Sequence, residues 1–218
     1  MGKRFDLLVF DWDGTLVDSA RHIVASIQAA ADDLGLATPA DDRARHIIGL
    51  GLADAMAYLF PELASAEHPR LAERYRHHYL AGDRELTLFS GALEGIQAFR
   101  AAGFALAVAT GKSRQGLDRA LETFGLGPLF HASRCADEGL SKPHPDMLRY
   151  LMSALGAGPE RTLMIGDTTH DLQMAKNAGV AAVAVGYGAH TRARLEAEGP
   201  LACVMSFPEL EQWVTENG

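Results

Sequence analysis

Cysteine is scarce. The 218 residues contain two, Cys135 and Cys203, with no C-x-x-C pair, so neither a disulfide framework nor a zinc site is expected and both read as reduced thiols. Long apolar runs are missing too; none approaches the ~18 residues of a membrane span. The run Leu7-Leu8-Val9-Phe10 follows Lys3 and Arg4 but meets Asp11 instead of a small-residue cleavage site, unlike a signal peptide. Asp6 stands where a myristoylation signal needs Ser or Thr. There is no basic excess: 20 Lys and Arg against 28 Asp and Glu give a net charge of −8. That balance lacks the electrostatic footprint of a nucleic-acid binder. The expectation is a cytoplasmic chain, monomer or homodimer, whose partner is a small molecule and neither nucleic acid nor membrane. With 48% hydrophobic and 22% charged residues, it can bury a core without metal or disulfide staples.

Short apolar runs occur at residues 5–10, 104–109, 162–165, 181–185 and 201–205. Continuous runs of this length suit strands covered on both faces in a parallel sheet. Helical spacing lies between them. Leu117, Leu121 and Phe124 follow Ser113 as N-cap and precede Gly125, while Leu172, Ala175 and Ala178 precede Gly179. This alternation predicts an α/β fold: a doubly wound, open parallel sheet of Rossmann type with right-handed crossovers. One stretch breaks it. About ninety residues between the first two strands read as helical, far more than a crossover needs. Ile23, Ile27 and Leu34 form one face, opened by Asp18 or Ser19 and closed by Gly35. Met56, Leu59 and Phe60 form a second, ended by Pro61, and Leu71, Tyr75 and Tyr79 a third, ended by Gly82. The predicted division is a catalytic core of residues 1–16 plus 87–218 and an inserted helical cap of residues 17–86, with hinges near 16–19 and 83–90.

Four polar clusters stand at predicted strand ends, where open α/β sheets bind ligands. The first is Asp11-Trp12-Asp13-Gly14-Thr15. Asp and Gly are also ordinary turn residues, but this string is rare at average composition. Thr110-Gly111-Lys112 opens onto the helix after Ser113 and offers a hydroxyl and free N–H groups to an anion. In Ser141-Lys142-Pro143-His144-Pro145 the prolines stiffen the loop that carries the ammonium. Gly166-Asp167-Thr168-Thr169-His170-Asp171 places two acids one helical turn apart. A carboxylate can be a covalent nucleophile toward phosphorus, although anion meeting anion is electrostatically opposed. Mg²⁺ and a fixed lysine would lower that barrier. Mg²⁺ takes one or two carboxylates with phosphate and water, which suits Asp11 and Asp167. Asp13 is the candidate acid/base beside the nucleophile.

The order Asp-x-Asp-Gly-Thr, strand-end Thr, Lys-Pro and Gly-Asp-x-x-x-Asp resembles the haloacid dehalogenase (HAD) superfamily. Within it the chain is most similar to the phosphoglycolate phosphatase-like hydrolases, which carry a helical cap after the first strand. The resemblance implies that Asp11 is the nucleophile and a metal ligand. It implies that Asp13 is the acid/base and also a metal ligand through its backbone carbonyl. Thr110 and Lys142 would bind the transferring phosphoryl group, with Gly111 donating its amide. Asp167 would ligate Mg²⁺, with Asp171 in support behind it. Asp13 argues against a dehalogenase, whose members lack an acid there. The expected activity is hydrolysis of a phosphoglycolate-like monoester through an aspartyl-phosphate.

Several positions depart from the pattern or stay open. Trp12 fills a slot where many relatives carry an aliphatic residue, and it reads as packing. The segment from His46 to Gly51 resembles the substrate-choosing cap loop, with Gly49 and Gly51 as binding candidates, and equally resembles a helix–helix turn. Sugar-phosphate mutases of the superfamily place a cap histidine twelve residues past the nucleophile; that position is Ile23, with His22 adjacent. His144 and His170 read as loop residues that tune the site. Rival readings are a sugar-phosphate mutase, a pyrophosphate or nucleotide phosphatase, and a non-catalytic binding module.

Overall fold

The computed structural model describes residues 3–218. Six parallel strands, β1 (Leu7–Phe10), β2 (Ala105–Thr110), β3 (Ala132–Cys135), β4 (Thr162–Gly166), β5 (Ala181–Val185) and β6 (Ala202–Val204), form one sheet in the order β3-β2-β1-β4-β5-β6. The five apolar runs became strands. β3 is the addition: an edge strand of sequence Ala-Ser-Arg-Cys, only its last residue fully buried, it carries no apolar run to read. Strand order reverses at β1, which makes the carboxyl end of that strand the switch point of the sheet. Register brings the neighbouring ends level, since Phe10 pairs with Val108 on β2 and with Ile165 on β4.

Alternation along the strands splits the core into two layers. Leu8, Phe10, Leu106, Val108 and Ile165 face helices α5 (Ala92–Ala101), α6 (Arg114–Phe124) and α10 (Phe207–Asn217), while Leu7, Val9, Ala107 and Met164 face α7 (Asp146–Leu155) and α8 (Thr169–Ala178). Trp12 is buried in the first layer, its ring centroid 6.3 Å from that of Phe124. Cys135 and Cys203 are both free.

Between β1 and α5 lie four helices, α1 (Ala20–Asp33), α2 (Asp41–His46), α3 (Leu52–Leu59) and α4 (His68–Gly82). Three were predicted. The fourth, α2, spells Asp-Asp-Arg-Ala-Arg-His and buries only Ala44, so it has no apolar stripe for periodicity to detect. Ser19 occupies the N-cap position of α1 without capping it; its hydroxyl donates to Asp13 Oδ1 at 2.7 Å instead. The inserted helices share an apolar cluster that includes Ile23, Ile27, Ile48, Met56, Leu59 and Leu71. Both crossings back to the sheet lie side by side, where Val17 bridges to Asp13 and to Leu88.

A Cβ on Gly95 in α5 would overlap the buried ring of Phe207 on α10. Alanine gains up to ~1 kcal/mol of helix propensity, but overpacking a closed contact costs about 1–3 kcal/mol. Gly95→Ala is therefore expected to lower the urea midpoint with an unchanged m-value; a raised midpoint would show that α5 and α10 separate freely.

Candidate active site

The end of β1 carries Asp11 and Asp13 to the same side of an extended segment, with Trp12 turned into the apolar layer. Both acids are buried, Asp11 to 1% exposure and Asp13 to 8%. Gly14 then reverses the chain at φ +80°, in the left-handed region. A Cβ there would also overlap the Asp167 carboxylate, so only glycine permits this approach. The turn delivers Thr15, whose hydroxyl donates to Asp167 Oδ1 at 2.9 Å, and the Ala189 N–H donates to Oδ2 at 2.7 Å.

Asp171 is fixed by the start of α8. Thr168 caps that helix, and its N–H and hydroxyl donate to Asp171 Oδ2 at 3.1 and 2.7 Å. The other oxygen, Oδ1, faces Lys142 Nζ at 2.6 Å, and the same ammonium lies 2.7 Å from Asp11 Oδ1. Asp11, Asp167 and Asp171 bring one oxygen each to within 4.8 Å of one another.

Asp13 stands apart from this cluster. Its Oδ1 accepts from Ser19 and its Oδ2 pairs with Lys112 Nζ at 3.0 Å, while Lys112 also donates to the Tyr79 hydroxyl at 2.8 Å. The Asp13 side chain is thus engaged elsewhere, and Asp171, expected behind the metal, stands in the acid cluster itself. Thr110 is buried at the end of β2, its hydroxyl accepting from the Lys112 N–H at 3.2 Å.

The loop from His46 to Gly51 is both things the sequence allowed: a turn between α2 and α3, and a roof. Gly49, at φ +91°, lies over the acids, and a Cβ there would sit 3.2 Å from Thr168 Oγ1 and 3.8 Å from Asp11 Oδ2. Gly111 is so close beneath that a Cβ would overlap the carbonyls of Gly49 and Leu50. The Gly51 N–H donates to Ser141 Oγ at 2.8 Å. His170 Nε2 donates to the His46 carbonyl at 2.6 Å, and the ring of His190 stacks on that of His46 at 5.5 Å. Burial holds all three histidines below the usual range, His190 at about 4, so neutral rings fasten loop to core. His144 is exposed at the start of α7, where its Nδ1 accepts the Asp146 N–H. His22 Nε2 donates to the Tyr79 carbonyl at 2.7 Å and Ile23 is buried. Ser19 and Tyr79 were not foreseen as site residues, whereas Thr15 and Lys112 stood within the strings Asp11–Thr15 and Thr110–Lys112 without an assigned role.

Burial dominates the electrostatics. It pushes Asp11 well above the carboxylate range, Lys142 opposing and Asp171 and Asp167 adding to the rise. Asp167 is raised to about 7, first by burial and then by the charge of Asp171, against the Ala189 and Thr15 donors. Lys142 keeps its proton because Asp11 and Asp171 outweigh its own desolvation. Beyond Lys142, neither Asp11 oxygen nor Asp171 Oδ1 has a hydrogen-bond partner. With all three acids ionised, one ammonium would leave two negative charges uncompensated, which together with burial is why Asp11 and Asp167 are raised. An oxygen-preferring dication such as Mg²⁺ fits this donor set in charge and in chemistry.

The family profile described as haloacid dehalogenase-like hydrolase matches residues 8–185. The chain is 40% identical over 214 residues to the probable phosphatase IndB of Dickeya dadantii, covering 94% of this chain and 91% of that one. It is 34% identical to the phosphoglycolate phosphatase of Agrobacterium fabrum, over 84% and 81% of the two chains. A crystal structure described as a predicted phosphatase from Clostridium acetobutylicum superposes with a TM-score of 0.86 at 26% identity, covering 97% of this chain and 99% of that one.

Asp167 generates a prediction with a definite sign. Its folded value near 7 lies above the ~4 of an unfolded aspartate. Its contribution to metal-free stability is fully present below about pH 4 and is lost as pH rises to 7. A dication reverses the penalty by pairing with the ionised form. The rise in melting temperature caused by Mg²⁺ is therefore expected to be larger at pH 8 than at pH 5.5, and Asp167→Asn to flatten that difference. Equal shifts at both pH values would remove Asp167 from the metal site.

Proposed function

Since this chain belongs to the haloacid dehalogenase-like hydrolases and, with relatives named as phosphatases, is a hydrolase of phosphoric monoesters, we propose that it cleaves a small soluble phosphomonoester through an aspartyl-phosphate on Asp11, with Mg²⁺ as cofactor. The observation that carries this reading is the sealed Lys142 ammonium, 2.7 Å from an Asp11 carboxylate that has no other partner. A buried acid so placed keeps free oxygens beside a fixed cation.

In the first step an Asp11 oxygen bonds to phosphorus as the bond from phosphorus to the leaving oxygen breaks. Asp13, as the carboxylic acid, gives its proton to that oxygen and the alcohol departs. In the second step a water oxygen bonds to phosphorus and its proton returns to Asp13. The Asp11–phosphorus bond breaks, restoring the carboxylate and releasing inorganic phosphate. Lys142, the Thr110 hydroxyl and the Gly111 N–H are the donors assigned to the phosphoryl oxygens. Asp11 and Asp167, with the Asp13 carbonyl, would hold Mg²⁺, whose charge would offset that of the phosphoryl group. The roof over Gly111 limits water around the reacting atoms, a role typical of lids.

Hydrolysis is favoured over a mutase because Ile23 occupies the position of the mutase histidine and His22 is committed to the Tyr79 carbonyl. Phosphoglycolate-like esters, pyrophosphate and nucleotides all fall within the proposed chemistry.

Asp11→Asn is expected to lower Mg²⁺-dependent phosphate release by at least ~10³-fold while leaving the far-ultraviolet circular dichroism unchanged. Asp13→Asn is expected to lower steady turnover and to trap phosphate on the chain, visible as a mass increase after quenching. Full activity of the Asp11 variant, or of the chelated wild-type chain, would refute the proposal.

A further inference from the structure

The segment that follows β5 closes against the turn that follows β1. Its start is tied to β6, where the Gly186 N–H donates to the Val204 carbonyl at 2.8 Å. At Gly188 a Cβ would overlap both the Asp167 carboxylate and the Gly14 carbonyl. Between these glycines stands Tyr187, whose hydroxyl donates to the Thr15 carbonyl at 3.0 Å. Among the described residues no other donor reaches that carbonyl. Thr15 is fully buried, so without Tyr187 its carbonyl would lie unpaired away from water.

The hydroxyl is itself held in place. The Tyr187 ring meets that of Phe89 edge-on at 4.6 Å, and the Phe89 N–H donates to the Leu16 carbonyl at 3.0 Å. Ring and hydroxyl therefore both bear on the turn that carries Thr15. The turn's own bond to this residue is weak, since the Thr15 N–H lies 3.4 Å from the Trp12 carbonyl. Yet Thr15 carries one of the two donors that orient Asp167: its hydroxyl takes Oδ1 and the Ala189 N–H takes Oδ2. One donor on each oxygen fixes the plane of a carboxylate. The Tyr187–Thr15 bond joins the two segments that supply those donors. Tyr187 does not line the cavity beside Asp11, so its influence on the reaction passes through the residues it holds.

We propose that Tyr187 is a positioning residue for the metal site: its hydroxyl fixes Thr15, and through the Thr15 hydroxyl it holds the Asp167 carboxylate in the orientation the cation meets. The assignment rests on the reading of Asp167 as a Mg²⁺ ligand and adds to it a residue outside the four polar clusters. Groups that orient a ligand typically change metal affinity about 10–100-fold when removed. Tyr187 stands one bond further back, and the lower end of that range applies.

The test titrates Mg²⁺ into the wild-type chain, Tyr187→Phe, Thr15→Val and the double variant, with Kd read by calorimetry and by the rise in melting temperature. Phenylalanine keeps the ring against Phe89 and removes the hydroxyl alone. Tyr187→Phe is expected to weaken Mg²⁺ binding at least about fivefold, and Thr15→Val at least as much. Because the first acts through the second, the double variant is expected to bind no more weakly than Thr15→Val. A loss below about fivefold for Tyr187→Phe, a smaller loss for Thr15→Val, or losses that add in the double variant overturns the assignment and leaves Asp167 a ligand. A Tyr187→Phe chain that does not fold makes the hydroxyl a requirement of the fold and overturns the positioning role. Absence of Mg²⁺ binding by the wild-type chain overturns the metal reading and this assignment with it.

Discussion

The site depends on one buried cation. Lys142 lies between Asp11 and Asp171, and burial raises the cost of every charge present. Removing one partner of a buried ion pair typically costs about 3–5 kcal/mol, because the other charge remains without compensation. Here the imbalance runs toward negative charge even with the lysine in place. The metal-free protein therefore carries a deficit that a dication or a shared proton must relieve, and the raised values of Asp11 and Asp167 are the proton's share. A site built for stability alone would use apolar residues of similar volume. What this arrangement gains is a carboxylate whose oxygens stay free beside fixed positive charge.

The sheet makes that concentration of charge possible. Asp11 follows β1, Thr110 ends β2, and Asp167 follows β4, so three separate segments reach one edge through parallel register with β1 in the middle. Lys142 comes from the loop before α7 and needs no strand of its own. The backbone groups freed where β1 ends are consumed at once: the Gly14 N–H donates to the Val17 carbonyl and the Leu16 N–H to the Trp12 carbonyl. That tight turn lets Asp167 press against the chain at Gly14.

Periodicity and local chemistry made much of this legible. Buried parallel strands write themselves as continuous apolar runs, which is why five of the six strands could be read, and a cap such as Ser113 resides in a few neighbouring residues. β3 and α2 escaped for the same physical reason: an edge strand and a short polar helix bury too little to impose a pattern. Three of the four polar clusters followed a predicted strand, which announced that they could meet; the one carrying Lys142 lies in the loop before α7. The partner of each oxygen lay beyond reach. Ser19 reads as an N-cap and serves Asp13 instead, and Tyr79 reads as one apolar position on α4 yet its hydroxyl accepts from Lys112. Pairings between residues 33 apart on different elements leave no trace in spacing.

The two acids of the first motif stand two residues apart and face different surroundings. Asp11 is sealed among Lys142, Asp167 and Asp171, all carried by the sheet side of the molecule. Asp13 is held by Ser19 at the entrance to α1 and by Lys112, which is itself held by Tyr79 of α4. The first environment meets the insert only through the loop carrying Gly49 and Gly51; the second is shared with α1 and α4. Asp13 thus takes its partners from the entrance to α1 and, through Lys112, from α4, whereas the Asp11–Lys142 pair takes none from those helices. Different environments are how a fold assigns different roles to like carboxyl groups. In this chain the division ties the surroundings of Asp13, the proposed proton donor, to α1 and α4, whose ends supply Ser19 and, through Lys112, Tyr79.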